Sequence, residues 1–354
     1  MALAMGRRGQ GRTAENPAVG CVIVDASGAL AGIGHTQAGG RPHAETAALS
    51  MAGMRAKGGT AYVTLEPCAH EGKTPPCADA LIAAGIARCV IALQDPDKRV
   101  NGAGIARLEA AGISVTTGCM AEQAQQDLAG FLTRLSLYRP HITLKIATSA
   151  NEMIAEQAGR QSRITGEMAR RFVHEQRSRA DMILTGIGTV LADDPVLNCR
   201  APLAGADSPH ALIMDSQLRT PLDCQLVQSA KTRPVLIACD GSAPAARAKA
   251  LMAEGAEIVM VPSAAEGLSL SHLFVKLAER GYGRIFIEAG AALNQSVLSM
   301  RLADEILWLQ APTELPDDGL KAVASAEGLE SLLQTHYIRT DRRRLGKDVL
   351  TRWS

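Results

Sequence analysis

The sequence LEPCAHEGKTPPC spans residues 65–77 and follows a short apolar run that predicts a buried strand. It supplies two cysteines, Cys68 and Cys77, each directly after a proline. The second cysteine begins an alanine-rich stretch that predicts a helix over residues 77–84. Upstream, the motif His43-Ala44-Glu45 also follows a proline and begins another predicted helix. This alternation of short strands and helices indicates an α/β layered domain.

One imidazole and two thiolates form a ligand set that zinc prefers, so His43, Cys68 and Cys77 are the candidate metal ligands. Three protein ligands leave the fourth tetrahedral position to water, which distinguishes a catalytic zinc site from a closed structural one. A carboxylate beside that water can carry its proton to a leaving group, which makes Glu45 the candidate catalytic residue. Because helical side chains at i and i+2 point apart, His43 must lie at the helix start for both to reach one site.

An H-x-E motif followed by a P-C motif and a second cysteine is the signature of zinc deaminases that act on nucleobases. The wider cysteine spacing, together with NPAVGC at residues 16–21 and GRPHAE at residues 40–45, resembles the bifunctional deaminase/reductase family of riboflavin biosynthesis. The resemblance implies that residues 1–139 form a cytidine-deaminase-like α/β/α sandwich that binds one Zn²⁺.

A second α/β series begins near residue 140. Tyr138-Arg139-Pro140 interrupts the first series after a predicted helix over residues 122–137, and HITLKIA at residues 141–147 predicts a new strand. We therefore assign residues 140–354 to a second domain. The same resemblance continues through segments between residues 144 and 290, and it implies a dihydrofolate-reductase-like α/β domain that uses NADPH.

Glu288 and the residues after it predict a strand end, a glycine turn and a helix start, whose free backbone N–H groups can hold a phosphate. The resemblance implies cofactor contacts at Ala147, Arg163, Thr189, Asp193, Ser216, Gly290, Ala291, Ala292, Leu293, Asn294, Gln295 and Ser296. It implies substrate contacts at Gln161, Arg177, Leu197, Arg200 and Glu288. An arginine fork matches phosphate oxygens in a planar, bidentate way that lysine does not.

One segment departs from the family pattern. After Ser149 the family has Asp-Gly followed by Arg or Lys, whereas this chain has Asn151-Glu152-Met153. Loss of the aspartate removes a charge, and glutamate in place of glycine strains the turn if a positive φ is required. Two hypotheses for the second domain therefore stay open: an active reductase, and an inactive reductase-like domain that only binds or assembles.

Composition restricts the classes of function. The 354 residues carry a formal charge of +1 and only 3% aromatic side chains, which disfavours a nucleic-acid base deaminase and any other binder of nucleic acid. Eight cysteines spread over this length give no disulfide framework, and no apolar stretch is long enough to cross a membrane. We expect a cytoplasmic protein without membrane contact.

The resemblance implies two reactions on a phosphoribosyl pyrimidine. They are hydrolytic deamination of 2,5-diamino-6-(5-phosphoribosylamino)pyrimidin-4(3H)-one and NADPH reduction of 5-amino-6-(5-phosphoribosylamino)uracil to the ribitylamino phosphate. It also implies a homo-oligomer. The non-enzymatic alternative is a purely structural zinc, which predicts a fourth protein ligand.

Overall fold

The computed structural model describes residues 1–71, 75–97, 100–157, 163–200, 208–265, 267–324 and 327–354. The chain divides into two compact units. The first contains residues 1–140 and 278–283, and the second contains residues 141–277 and 284–354. The short segment 278–283 thus groups with the first unit, although the sequence pattern assigns it to the second domain. No helix in the described ranges is both long and apolar enough to span a bilayer.

The first unit is built on one mixed sheet. Its strands are β1 (Gly20–Val24), β2 (Leu30–His35), β3 (Thr60–Val63), β4 (Arg88–Ile91) and β5 (Ser114–Thr117). The sheet order is β2-β1-β3-β4-β5; β1 is antiparallel to both neighbours, and β3, β4 and β5 are parallel. Its helices are α1 (Ala2–Gly9), α2 (Ala44–Ala52), α3 (Cys77–Ala83), α4 (Ala103–Ala110), α5 (Ala121–Asp127) and α6 (Ala129–Leu137), with short 3₁₀ turns at Ala38–Gly40 and Gly53–Ala56.

Helices cover both faces of this sheet. A Cβ added to Gly20 would lie 1.9 Å from the carbonyl oxygen of Ala2 in α1. A Cβ added to Gly34 would lie 2.2 Å from the carbonyl oxygen of Ala44 in α2. Gly34 pairs with Cys21, the residue after Gly20, so the two glycines face opposite sides of the sheet. The predicted α/β/α sandwich is therefore confirmed, and glycine at position 34 lets α2 approach the sheet closely.

The second unit is built on a larger sheet and two small ones. The strands of the unit are β6 (His141–Thr148), β7 (Met153–Ala155), β8 (Met182–Gly186), β9 (His210–Met214), β10 (Val235–Cys239), β11 (Glu257–Met260), β12 (Ser263–Ala264), β13 (Gly267–Leu268), β14 (Arg284–Glu288), β15 (Glu305–Gln310), β16 (Leu320–Lys321), β17 (Arg339–Leu345) and β18 (Asp348–Trp353). Strands β12 and β13 form one small sheet, and β16 and β7 form the other. The main sheet has the order β11-β10-β9-β8-β14-β6-β15-β18-β17. It is parallel from β11 to β15, and β18 and β17 are antiparallel additions.

Helices α7 (Glu167–Arg177), α8 (Ile187–Asp193), α9 (Gln225–Ser229), α10 (Ala245–Ala253), α11 (Leu270–Glu279), α12 (Ala291–Ser299) and α13 (Gly328–His336) complete this unit. Central strand residues such as Ile183, Leu212 and Ile237 are fully buried, as expected for a parallel sheet covered on both faces. Strands β9, β8, β14 and β6 are parallel neighbours, so their carboxyl ends lie along one edge of the sheet. Ligands of open α/β sheets bind at such an edge.

Candidate active sites

The structure brings His43, Cys68 and Cys77 together in the first unit. Nδ1 of His43 lies 3.8 Å from Sγ of Cys68 and 3.3 Å from Sγ of Cys77. All three candidate ligand atoms lie within 4.8 Å of one another. In the described part of the chain, no other group of three or more His, Cys, Asp or Glu side chains meets this criterion.

The local structure explains how residues 43 and 45 share one site. His43 is the N-cap of α2 with an extended backbone, φ −68° and ψ 161°, and Glu45 lies in the first turn. This is the position that the i, i+2 spacing requires, because the extended cap redirects the imidazole relative to the helix. Cys77 is the first residue of α3, and Cys68 lies in the loop between β3 and α3.

The three side chains fit a zinc ion. Tetrahedral zinc with ordinary Zn–N and Zn–S bonds holds a nitrogen and a sulfur ligand about 3.5 Å apart, which lies between the two observed distances. The Cys77 thiol and its backbone N–H, which is 3.3 Å from Sγ of Cys68, lower the pKa of Cys68 to about 4. The same pairing and burial raise the pKa of Cys77, so a cation here is needed to hold both as thiolates.

Glu45 is a buried carboxylate beside this cluster, with 4% of its surface exposed. Burial raises the pKa of Glu45 to about 7. A group with a pKa near the working pH both accepts and returns a proton readily. The position and environment of Glu45 are therefore those of a general acid and base.

Glu66 is a residue of this site that the sequence did not reveal. Its buried carboxylate accepts four backbone hydrogen bonds, at 2.9–3.2 Å, from residues that precede and begin α4: Asp95, Gly102, Gly104 and Ile105. The negative charge also faces the positive end of the α4 dipole. Glu66 thus ties the loop that carries Cys68 to α4, a contact between segments about thirty to forty residues apart.

Replacement of Glu66 with alanine should destabilise the first unit and weaken zinc binding. It leaves two buried and two part-buried backbone N–H groups without their acceptor, for an expected loss of about 3 kcal/mol or more in unfolding free energy. The loosened loop should lower zinc affinity about 10- to 100-fold, as for other residues that orient metal ligands. Thermal unfolding and chelator competition measure the two effects, with Glu66→Gln as the milder variant. Unchanged zinc affinity in Glu66→Ala would contradict the role assigned to this carboxylate.

The second unit contains a buried ion cluster at the carboxyl ends of β6 and β14. Arg177 of α7 donates from Nε and Nη2 to the two carboxylate oxygens of Glu288, and its Nη1 donates to the carbonyl of Asn198 at 2.9 Å. Nζ of Lys145 lies 3.8 Å from Glu288. Burial alone raises the pKa of Glu288, but the charges of Arg177 and Lys145 outweigh it and hold that pKa below its ordinary value.

The structure adds two observations about this cluster. The Arg177 fork, expected to meet substrate phosphate, is occupied by Glu288 because a buried carboxylate requires a counter-charge. Lys145 was not a predicted site residue. A lone charge within the apolar strand pattern HITLKIA was the available signal, and burial lowers the pKa of its ammonium below the ordinary value.

Apart from Arg163, the expected cofactor residues belong to β6, α8, the turn after β9 and α12, elements that meet the edge where β6, β8, β9 and β14 end. Ala147 is in β6, Thr189 and Asp193 are in α8 after β8, and Ser216 follows β9. Gly290 is the N-cap of α12, and the remaining residues 291–296 lie in that helix. A Cβ added to Gly290 would lie 3.9 Å from Oγ1 of Thr189, so these two segments are adjacent.

Polar atoms at this edge also fit a dinucleotide. Oδ1 of Asn294 and Oγ1 of Thr185 are buried, and neither has a hydrogen-bond partner among the described residues. The first turn of α12 presents backbone N–H groups suited to a phosphate. Arg163 is exposed ahead of α7, Leu197 and Arg200 lie in the loop after α8, and Gln161 falls outside the described residues.

The departure at Asn151 does not prevent the turn after β6 from forming. The Ser149 hydroxyl donates to Oδ1 of Asn151 at 2.7 Å, and the Asn151 amide donates to the carbonyl of Leu315 at 2.8 Å. The N–H of Leu315 returns a hydrogen bond to Oδ1 at 3.1 Å. The asparagine amide thus supplies both a donor and an acceptor to the opposite loop, and it does so without a charge.

Glu152 adopts the left-handed conformation that the family's glycine suggests, with φ +61°. Its carboxylate accepts the N–H groups of Leu329, at 2.6 Å, and Glu330, at 3.0 Å, in the first turn of α13. A negative charge at a helix start is stabilising. The cap therefore offsets the strain at position 152, and the substitution is compatible with an intact reductase fold.

Comparison with known proteins identifies the family of both domains. Residues 1–93 match the cytidine and deoxycytidylate deaminase zinc-binding region, and residues 140–351 match the RibD C-terminal domain. The riboflavin biosynthesis protein RibD of Escherichia coli K12 is 40% identical, with 98% of this chain and 96% of that protein covered. The chain belongs to the RibD family. It is a bifunctional protein of riboflavin biosynthesis that combines a zinc-binding deaminase domain with a reductase domain.

Solved RibD structures share the whole architecture. Acinetobacter baumannii RibD superposes with a TM-score of 0.87 at 34% identity, covering 99% of this chain and 96% of that one. The Thermotoga maritima diaminohydroxyphosphoribosylaminopyrimidine deaminase/5-amino-6-(5-phosphoribosylamino)uracil reductase superposes with a TM-score of 0.83 at 26% identity, with the same coverage. The predicted pairing of a deaminase-like and a reductase-like α/β domain is confirmed.

Proposed function

We propose that this RibD-family chain deaminates 2,5-diamino-6-(5-phosphoribosylamino)pyrimidin-4(3H)-one and then reduces 5-amino-6-(5-phosphoribosylamino)uracil to the ribitylamino phosphate with NADPH. The observation that carries the proposal is the convergence of His43, Cys68 and Cys77 beside buried Glu45, in a chain that also holds the ion cluster of the reductase domain. The printed name of the Thermotoga maritima relative describes the same pair of activities.

In the deaminase half, His43, Cys68 and Cys77 are proposed to hold zinc, whose Lewis acidity makes water a nucleophile at neutral pH. Glu45 takes one proton as the oxygen of water adds to the amine-bearing ring carbon. It gives this proton to the adjacent ring nitrogen. It then takes the remaining hydroxyl proton and gives it to the departing amino nitrogen, so that ammonia leaves and a carbonyl remains. Burial of Glu45 serves both steps, because a pKa of about 7 permits uptake and release.

In the reductase half, the first turn of α12 and the residues Thr189, Asp193 and Ser216 are proposed to hold NADPH, which supplies a hydride to the ribosyl C1. Opening of the ribose also requires a proton at the ring oxygen. We assign this proton to the ammonium of Lys145, whose 3.8 Å contact with Glu288 is too long for a hydrogen bond. Arg177 and Glu288 then set the charge around that ammonium.

The test is an assay of both half-reactions on the intact chain. Purified protein should contain about one zinc per chain, release ammonia from the diaminopyrimidine substrate and oxidise NADPH when given the deaminated product. Removal of zinc should abolish the first reaction and leave the second. If zinc-replete protein deaminates its substrate but does not oxidise NADPH, the second domain is an inactive reductase-like domain. Deamination of tRNA or single-stranded DNA in place of the nucleotide would favour a nucleic-acid base deaminase.

We further propose a homo-oligomer that acts on small molecules without nucleic acid as a partner. Light scattering of the same preparation measures the first part, and binding of labelled tRNA at physiological salt measures the second.

A further inference from the structure

Two loops of the second unit each contain a left-handed leucine. Leu197, with φ +47°, lies in the loop 194–200 that follows α8. Leu218, with φ +54°, lies in the turn 215–220 that follows β9. Both leucine side chains are buried in the same apolar cluster of the second unit. A left-handed backbone is unfavourable for leucine, so other contacts must stabilise each loop in this conformation.

Arg233, just before β10, holds the first loop. Its Nη1 donates to the carbonyl oxygens of Leu197, at 2.9 Å, and Pro209, at 3.0 Å. Its Nη2 donates to the carbonyl of Val196, and its Nε donates to Oγ of Ser229 at 3.2 Å. One guanidinium therefore joins the loop to the residue that precedes β9 and to α9.

Arg247 of α10 holds the second turn in the same manner. Its Nε donates to the carbonyl of Leu218 at 3.0 Å, and its Nη2 donates to the carbonyl of Thr220. Within the turn, Oδ2 of Asp215 accepts both the N–H and the hydroxyl of Thr220 at 2.7 Å. Asp215 thus stabilises the turn through hydrogen bonds within it, and Arg247 binds the turn to α10.

Each guanidinium donates to neutral oxygen atoms, which include the carbonyl of the left-handed leucine in both cases. A guanidinium carries several donors in a fixed plane, so it reaches two or three carbonyls at once. Burial lowers the pKa of Arg233 to about 10, which leaves it charged at neutral pH. Lysine, as a single charged point, does not span the same carbonyls.

We infer that Arg233 and Arg247 are positioning residues that separately fix the substrate loop and the cofactor turn of the reductase. Loop 194–200 carries Leu197 and Arg200, which are assigned to the phosphoribosyl substrate, and turn 215–220 carries Ser216, which is assigned to NADPH. The inference rests on the proposed function for these ligand assignments. The anchoring of each loop rests on the hydrogen bonds alone.

The experiment compares Arg233→Met with Arg247→Met in the full chain, so that each variant is the matched control of the other. Arg233→Met should raise KM for 5-amino-6-(5-phosphoribosylamino)uracil about tenfold or more and leave KM for NADPH within about twofold. Arg247→Met should raise KM for NADPH about tenfold or more and leave KM for 5-amino-6-(5-phosphoribosylamino)uracil within about twofold. Both should keep deaminase activity. Arg233→Lys and Arg247→Lys should show the same direction with a smaller change, and they serve if the Met variants fold poorly.

Backbone hydrogen exchange separates this inference from the proposed function. Even if the wild-type chain proves inactive as a reductase, Arg233→Met should speed exchange around residues 196–200 and Arg247→Met around residues 217–220. Equal increases of both KM values in both variants would overturn the inference. The same holds for exchange that rises over the whole second unit, or for a lower melting temperature with neither KM changed, since each indicates a merely structural role.

Discussion

Replacement of Glu45 with glutamine should lower the deaminase turnover number by about 10²- to 10⁴-fold, which is the range for loss of a general acid and base. Glutamine keeps the size and a carbonyl oxygen but neither takes a proton from water nor returns one to the leaving amine. Glu45 is 4% exposed, so bulk water does not readily replace it as the proton carrier. Ammonia release by the intact chain, measured at saturating substrate, checks the expected loss.

Two controls in the same chain make this result specific. Zinc content should stay at the wild-type value, because the proposed ligand atoms belong to His43, Cys68 and Cys77. NADPH oxidation with the deaminated product should also be unchanged, because it takes place in the second unit. A Glu45→Gln variant that keeps full deaminase activity would remove Glu45 from the mechanism. One that loses its zinc would instead indicate that the carboxylate orients the metal site.

The members of the metal cluster were predictable from their residue types and motifs, although His43 lies 25 and 34 residues from the two cysteines. His43 and Glu45 are two residues apart, and the helix-start rule alone says where they must lie. The two cysteines each follow a proline next to a predicted element boundary, so the sequence also predicted which strand and helix they adjoin. Ligand residue types and element boundaries of this kind can be identified in a single sequence.

Glu66 and Arg233 were not predictable because their partners are mainly backbone groups. The carboxylate of Glu66 binds N–H groups 29 to 39 residues away, and Arg233 binds carbonyls 24 to 37 residues away. Every residue has similar backbone groups, so the sequence does not show which arginine or glutamate will bind them. Such contacts emerge only when the loops have been placed in three dimensions.

Secondary structure was predictable in the core and less so at the periphery. The apolar run HITLKIA at residues 141–147 predicted the position of β6, which spans His141–Thr148. Strand β17, with the sequence RTDRRRL, is an exposed edge strand whose charges hide its pairing with β18. The helix expected over residues 122–137 is interrupted at Leu128, where φ is −95° and ψ is 5°. The amphipathic pattern continues through this position, so it gives no sign of the break.

Replacement of Lys145 with methionine should lower the reductase turnover number by about 10²-fold or more, if its ammonium supplies the proton to the ribose oxygen. Methionine matches the length and apolar stem of lysine. Glu288 keeps its bidentate partner Arg177, so its charge remains compensated and the chain should still fold. Deaminase activity and binding of NADPH should be retained, and NADPH oxidation by the intact chain measures the loss.

The pH profile distinguishes proton donation by Lys145 from a purely structural effect. The ammonium is the active form, so wild-type turnover should fall as pH rises through the pKa of Lys145. That pKa is below its ordinary value because burial lowers it against the opposing charge of Glu288. The alkaline fall should therefore begin at a lower pH than for an exposed lysine, and it should be missing from the residual activity of Lys145→Met. If Lys145→Met shows the same alkaline fall in turnover as the wild type, the proton comes from another group, because the variant has no lysine at position 145 to titrate.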